Sequence, residues 1–169
     1  DYKGTRKPMA EELRQQVPVI KDVLRAMHIE VIEKAGLEAD DLLGTLSHRC
    51  EEKGMDVSII SGDRDTLQLA TEHIKIRIPK TKQGKTEVED YYAADVQERY
   101  GVTPKEFIDV KALMGDTADN IPGVPGVGEK TATKIIQQYQ TIENAYEHVD
   151  ELKPPRASKN LKEFWEQAQ

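Results

Sequence analysis

The chain has 169 residues, with 24 Lys+Arg against 31 Asp+Glu, a formal net charge of −7, and 37% apolar and 33% charged residues. This is the balance of one globular domain, or one and a half, and it excludes a disordered chain, which combines low hydrophobicity with high charge. The apolar runs, such as Val17-Pro18-Val19-Ile20, fall far short of the roughly 20 residues of a membrane span, and a lone cysteine, Cys50, excludes an intrachain disulfide.

Leu13, Val17, Ile20, Leu24 and Met27 recur every three or four residues and predict an amphipathic helix that Pro18 bends. Residues 29–32 read as a short strand, and Leu42, Leu43, Leu46 and Cys50 mark a second helix ending before Gly54. A β-branched strand follows at 57–60, then a short helix at 64–70. Ile74, Ile76 and Ile78 alternate with Lys75 and Arg77, a half-exposed strand, and a polar hairpin around Gly84 returns through Val88. Strand and helix alternating in this way predict right-handed βαβ units and an α/β fold with a parallel sheet. No strand is expected after Val88. Helices are predicted at 93–100, 104–114, 129–139 and 142–148, with a last one after Pro155. The expected boundary lies near residue 90, between an α/β part (1–90) and a helical part (91–169).

The single cysteine and the absence of an apolar signal core predict a cytoplasmic protein with no membrane partner. The first residue is Asp rather than Met, so a piece of a longer chain is expected. A net negative charge argues against general nucleic-acid binding. Two stretches oppose that trend. Residues 73–85 hold Lys75, Arg77, Lys80, Lys82 and Lys85, and residues 152–162 hold Lys153, Arg156, Lys159 and Lys162, with no acid in either.

Carboxylates gather in three short segments. Glu38-Ala39-Asp40-Asp41 opens the second helix, where acids also complement the helix dipole and the free N–H groups. Gly62-Asp63-Arg64-Asp65 follows the strand at 57–60, at the strand end where ligands bind in parallel sheets; Asp63 equally suits an N-cap. Gly115-Asp116-Thr117-Ala118-Asp119-Asn120 closes a helix, and its two aspartates, three apart, can face one point or serve an Asx-type turn. Seven carboxylates at element ends repel one another unless a cation compensates. The four histidines are scattered, which excludes a zinc-type ligand set. Oxygen-only ligands suit Mg2+ or Mn2+, and a two-metal site suits in-line attack on a phosphodiester.

Four of the eleven glycines fall between 115 and 128, in a loop ending Gly123-Val124-Pro125-Gly126-Val127-Gly128-Glu129-Lys130-Thr131. A P-loop is excluded, because Glu129 separates Gly128 from Lys130 and the loop follows a helix. A helix–hairpin–helix remains: N–H groups at the start of the next helix bind a phosphate without reading its base, with Lys130 and Lys134 adding charge. A plain helix–helix turn is the alternative.

These three segments and the loop, in this order, resemble the 5′-nuclease domains of the flap-endonuclease family, of the kind joined to bacterial DNA polymerases. The likeness extends over essentially the whole chain. It implies an incomplete PIN-like α/β core followed by a helix–three-turn–helix region. It also implies a metal-dependent phosphodiesterase acting on 5′ ends, flaps and nicks during replication and repair. By motif, Glu38, Asp40, Asp41, Asp63, Asp65, Asp116 and Asp119 would hold or position the divalent ions, with Asp63 and Asp119 central to catalysis. Gly123, Gly126, Val127, Gly128, Lys130, Thr131 and Lys134 would grip duplex DNA, with K+ at the hairpin. Tyr2-Lys3-Gly4-Thr5-Arg6 matches the base of the family's helical arch. There Lys3 and Arg6 would contact the scissile phosphate and Tyr2 would stack on a base. A solvated terminus is the plainer reading of Lys3 and Arg6. The family's first strand carries a further metal-binding Asp that this chain lacks, and its absence is expected to expose apolar edges and to leave nuclease activity weak or absent. The remaining implied features are a monomer, a bacterial and nucleoid-associated location, and a polymerase domain elsewhere in the full-length protein. A non-catalytic module that binds structured DNA is the competing reading.

Overall fold

Ile74, Ile76 and Ile78 alternate with Lys75 and Arg77, and that alternation makes β2 (Ile74–Lys82) the middle strand of a sheet. The computed structural model, which describes residues 3–4, 7–82 and 84–165, buries all three isoleucines and leaves the two cations half-buried on the other face. β1 (Val57–Ile60) pairs with β2 in parallel, Val57 opposite Ile74 and Ile60 opposite Arg77. β3 (Lys85–Tyr91) returns antiparallel, with Lys82 opposite Lys85 and Ile76 opposite Tyr91. The sheet is therefore mixed, with one parallel pair joined through a 3₁₀ helix, Arg64–Leu69.

Two expectations need correction. Residues 29–32 form no strand, and Ile29 and Ile32 lie exposed. β-branched composition supplies a preference for extended backbone, but a strand also needs a neighbour to accept its hydrogen bonds. Conversely, Gly115–Asp116 (β4) and Ile121–Pro122 (β5) pair as a short antiparallel ladder where only a loop was expected.

The basic stretch 73–85 is largely neutralised across the β2–β3 hairpin. Lys75 and Arg77 pair with Asp90 at 3.5 and 2.9 Å, and Lys80 pairs with Glu89 at 2.5 Å. Opposite charges facing across a ladder explain the run without any polyanion.

α1 (Glu11–Ala26) continues through Pro18 and buries none of its residues; Val19, Ile20, Val23 and Met27 all face solvent. α2 (Ala39–Glu51) packs on β1 and the 3₁₀ helix. α3 (Ala93–Tyr100) leads into α4 (Pro104–Met114), whose first turn is closed by Thr103 and Glu106 in a reciprocal capping box. α5 (Glu129–Tyr139), α6 (Ile142–Glu147) and α7 (Pro155–Glu163) complete the fold. One apolar core runs from Ile59 and Ile76 through Val110 and Leu113 to Ile136 and Leu161, so the parts before and after residue 90 share an interior. No helix among the described residues is long and apolar enough to cross a membrane.

Candidate active site and nucleic-acid interface

The strand end and the helix start meet because α2 packs on both β1 and the 3₁₀ helix. Asp63 caps that 3₁₀ helix, its Oδ1 accepting the Asp65 N–H at 3.0 Å, while Thr66 Oγ1 donates to the Asp63 carbonyl. On α2, the Glu38 N–H donates to Asp41 Oδ2 at 2.9 Å, so Asp41 serves the helix start as well as facing the pocket. The third segment arrives through α4, which packs against the 3₁₀ helix.

The result is one cavity of about 500 Å³ lined by Lys3, Glu38, Asp40, Asp41, Asp63, Asp65, Gln68 and Asp119. Residues from all three acidic segments thus face a shared space. The Asp40 carboxyl is raised above the ordinary aspartate value, first by burial and then by the charges of Asp63, Asp65 and Glu38. Asp116 is the exception, since it does not line the cavity. Its Oδ1 accepts the Ala118 and Asp119 N–H groups at 2.8 and 3.2 Å, which shapes the turn that presents Asp119.

Lysines occupy part of this charge. Lys111 Nζ sits 2.9 Å from Asp65 Oδ1 and 2.9 Å from Asp116 Oδ2. Burial opposes the Lys111 ammonium, but its bonds to Asp116 and Asp65 outweigh that and hold its pKa above the usual lysine value. The same contact with Lys111 lowers the Asp116 carboxyl. Lys3 pairs with Glu38 at 2.5 Å, and its N–H donates to the Asp119 carbonyl at 2.8 Å. Among the described residues no three His, Cys, Asp or Glu side chains ring a point closely enough to enclose an ion. The carboxylates of the lining nevertheless fit a hard dication, because they offer oxygen ligands and already repel one another. Sequence reading missed Lys111, whose reach to Asp65 depends on how α4 packs. Tyr2 and Arg6 lie outside the described residues.

The glycine loop is locked to the third acidic segment. A Cβ on Gly115 would fall 2.2 Å from Gly123 N, and one on Gly123 2.2 Å from the Met114 carbonyl carbon. Only two glycines let these backbones pass so closely. Gly115↔Pro122 and Asp116↔Ile121 pairing then carries the chain straight from the acidic turn into the hairpin. Val124 and Val127 are buried, anchoring the hairpin, and the Val127 N–H is taken by the Val124 carbonyl at 3.0 Å. The Val127 N–H is thus engaged within the hairpin, and Gly123 makes the close crossing with Gly115. Gly126 has φ +76 and is exposed, as are Gly128, Lys130 and Lys134, while Thr131 is half-buried with its N–H bonded to the Gly128 carbonyl. The N–H groups of Gly128, Glu129 and Lys130 find no main-chain acceptor among the described residues, as expected of a helix start.

Carboxylates gathered at a strand end thus stand beside a helical hairpin whose following helix begins with exposed residues. Residues 1–101 match the family model described as 5'-3' exonuclease, N-terminal resolvase-like domain, and residues 102–169 match 5'-3' exonuclease, C-terminal SAM fold. The chain belongs to the 5'-3' exonuclease family. It is 46% identical to DNA polymerase I of Bacillus caldotenax and 45% identical to that of Bacillus subtilis, in each case over 168 residues, 99% of this chain and 19% of the relative. The chain thus spans about a fifth of the length of these curated relatives. Among solved structures it is similar to the T5 5'-exonuclease with divalent zinc ions bound (26% identity, TM-score 0.81, 99% of this chain and 64% of that one). The catalytic core of Rad2 in complex with DNA substrate shares the fold, at 19% identity and TM-score 0.59 over 92% of this chain and 50% of that one.

Proposed function

We propose that this chain is part of the 5′-nuclease region of a bacterial DNA polymerase I, hydrolysing phosphodiesters at 5′ ends, flaps and nicks in replication and repair. The observation that carries the reading is the single cavity shared by Glu38, Asp40, Asp63, Asp65 and Asp119, residues drawn from three distant segments. Those carboxylates would hold Mg2+ or Mn2+, which when bound supplies the Lewis acidity for attack of water on a phosphodiester. Asp116 and Lys111 position the turn that presents Asp119. Lys3 lies beside Glu38 at the cavity, suited to an incoming phosphate. The hairpin ending in Gly128 and Lys130 holds the duplex backbone, with K+ as its assigned cation. A polymerase domain in the same polypeptide and a bacterial cytoplasmic setting belong to this reading.

A second reading, binding without cleavage, is favoured by Lys3 and Lys111, which occupy carboxylates that a metal needs. A 5′-flap duplex incubated with the chain and Mn2+ separates the two. The expected result is weak cutting near the junction that Asp63→Ala or Asp119→Ala removes while binding is retained. Binding with no cutting at any Mn2+ concentration supports the second reading, and unaltered cutting by either variant removes that residue from the site.

A further inference from the structure

The two basic stretches have opposite fates, and the difference points to a surface outside the acidic cavity. On β2, Lys75, Arg77 and Lys80 are each paired with an acid of β3. Around the hairpin, Lys130, Lys134, Lys153, Arg156 and Lys159 have no carboxylate within 4.0 Å among the described residues, and Lys130, Lys134, Lys153, Arg156 and Lys159 are all exposed. In this second stretch Lys162 is paired, with Asp150.

α7 brings part of that unpaired charge onto the hairpin itself. Ala157 and Leu161 are buried and fix the helix, which turns Arg156 and Asn160, four residues apart, toward the loop. Asn160 Nδ2 donates to the Pro125 carbonyl. Arg156 Nε and Cζ lie 3.4 and 3.6 Å from where a Cβ on Gly126 would stand, so the guanidinium covers the exposed glycine turn. Lys159, three residues beyond Arg156, lies on a neighbouring part of the same helical face. Among the described residues, cations without a carboxylate partner are held at a glycine turn, beside N–H groups of the next helix that have no main-chain acceptor, and this suits a polyanion of regular charge spacing.

We propose that Arg156 and Lys159 of α7 form a second phosphate-contact element, so that a strand of duplex DNA is held on one side by the start of α5 and on the other by α7. This rests on the reading of the hairpin as a DNA-backbone site. A guanidinium over the turn can take two phosphate oxygens at once, whereas Lys159 acts as a point charge.

The test is fluorescence anisotropy of a labelled 5′-flap duplex against KCl concentration, with circular dichroism to confirm folding. The chain itself is compared with Arg156→Gln, Lys159→Gln, the double variant, Lys130→Gln, and Lys80→Gln as a paired cation away from the hairpin. Each lost phosphate contact is expected to reduce the slope of log affinity against log salt by about 0.9, so the double variant falls by about 2 and binds roughly tenfold more weakly. Lys80→Gln should leave the slope unchanged, and Arg156→Lys should recover part of the loss. If the α7 variants bind as the parent does while Lys130→Gln is weakened, the α7 proposal fails and the hairpin reading stands. If Lys130→Gln is also unaffected, both fail. A loss of affinity with an unchanged slope also overturns the proposal, since it would mean a structural effect.

Discussion

At single residues, the acidic cavity gathers like charges at a cost to stability. The Asp40 carboxyl is held above the ordinary aspartate value by burial first and then by the charges of Asp63, Asp65 and Glu38. Lys111 does the reverse, joining Asp65 to Asp116. In metal-free buffer, Asp40→Asn should therefore raise the melting temperature by about 1–3 °C, while Lys111→Met lowers it by a similar amount. Calorimetry in the presence of a chelator measures both, and a fall with Asp40→Asn would show that the carboxylates do not strain one another. The same Asp40→Asn chain should bind Mn2+ more weakly, because the repulsion it relieves is what a dication relieves.

Among the elements, the β4–β5 ladder would tie catalysis to DNA binding in the function proposed above. It closes the acidic turn and passes directly into the hairpin, and it can do so only because Gly115 and Gly123 cross in backbone contact. Gly123→Ala should cost about 2–4 kcal/mol, as a clash between main chains that no rotamer can relieve. Gly128→Ala, where a Cβ would meet nothing within 4 Å, should be close to neutral for folding. Urea denaturation of the two variants compares them, and equal stability would mean that the crossing relaxes freely. α4 belongs to the same unit: Val110 and Leu113 seat it in the core, and that seating delivers Lys111 to Asp65.

For the molecule as a whole, the uneven distribution of apolar surface stands out. The core is continuous from the sheet to α7, yet α1 lies outside it with Val19, Ile20, Val23 and Met27 exposed, and Ile60 on β1 is 70% exposed. Exposed apolar side chains of this kind bind apolar dyes. Ile20→Lys with Met27→Lys should reduce the fluorescence of bound anilinonaphthalene sulfonate. It should also leave the melting temperature within about 2 °C, because side chains that stay mostly exposed hold little stability. A large drop in melting temperature would place α1 in the cooperative core.

Much of this was legible in the residues. Helical periodicity located α1, α2 and the later helices, alternation located β2, and the hairpin around Gly84 followed from its composition, because these patterns are local and every backbone of a given type must satisfy them. The carboxylate motifs and the glycine loop were equally visible, since each is contiguous in the chain. What is not contiguous could not be read. Residues 29–32 look like a strand and lack a neighbour; β4 and β5 look like loop and find each other; two basic runs look alike and only one is neutralised. That Glu38, Asp63 and Asp119 share a cavity, that Asp116 stands behind it, and that Arg156 comes to rest over Gly126 all depend on how α2, α4 and α7 pack. Local pattern specifies which backbone forms, whereas pairing and charge compensation depend on distances set by the buried core.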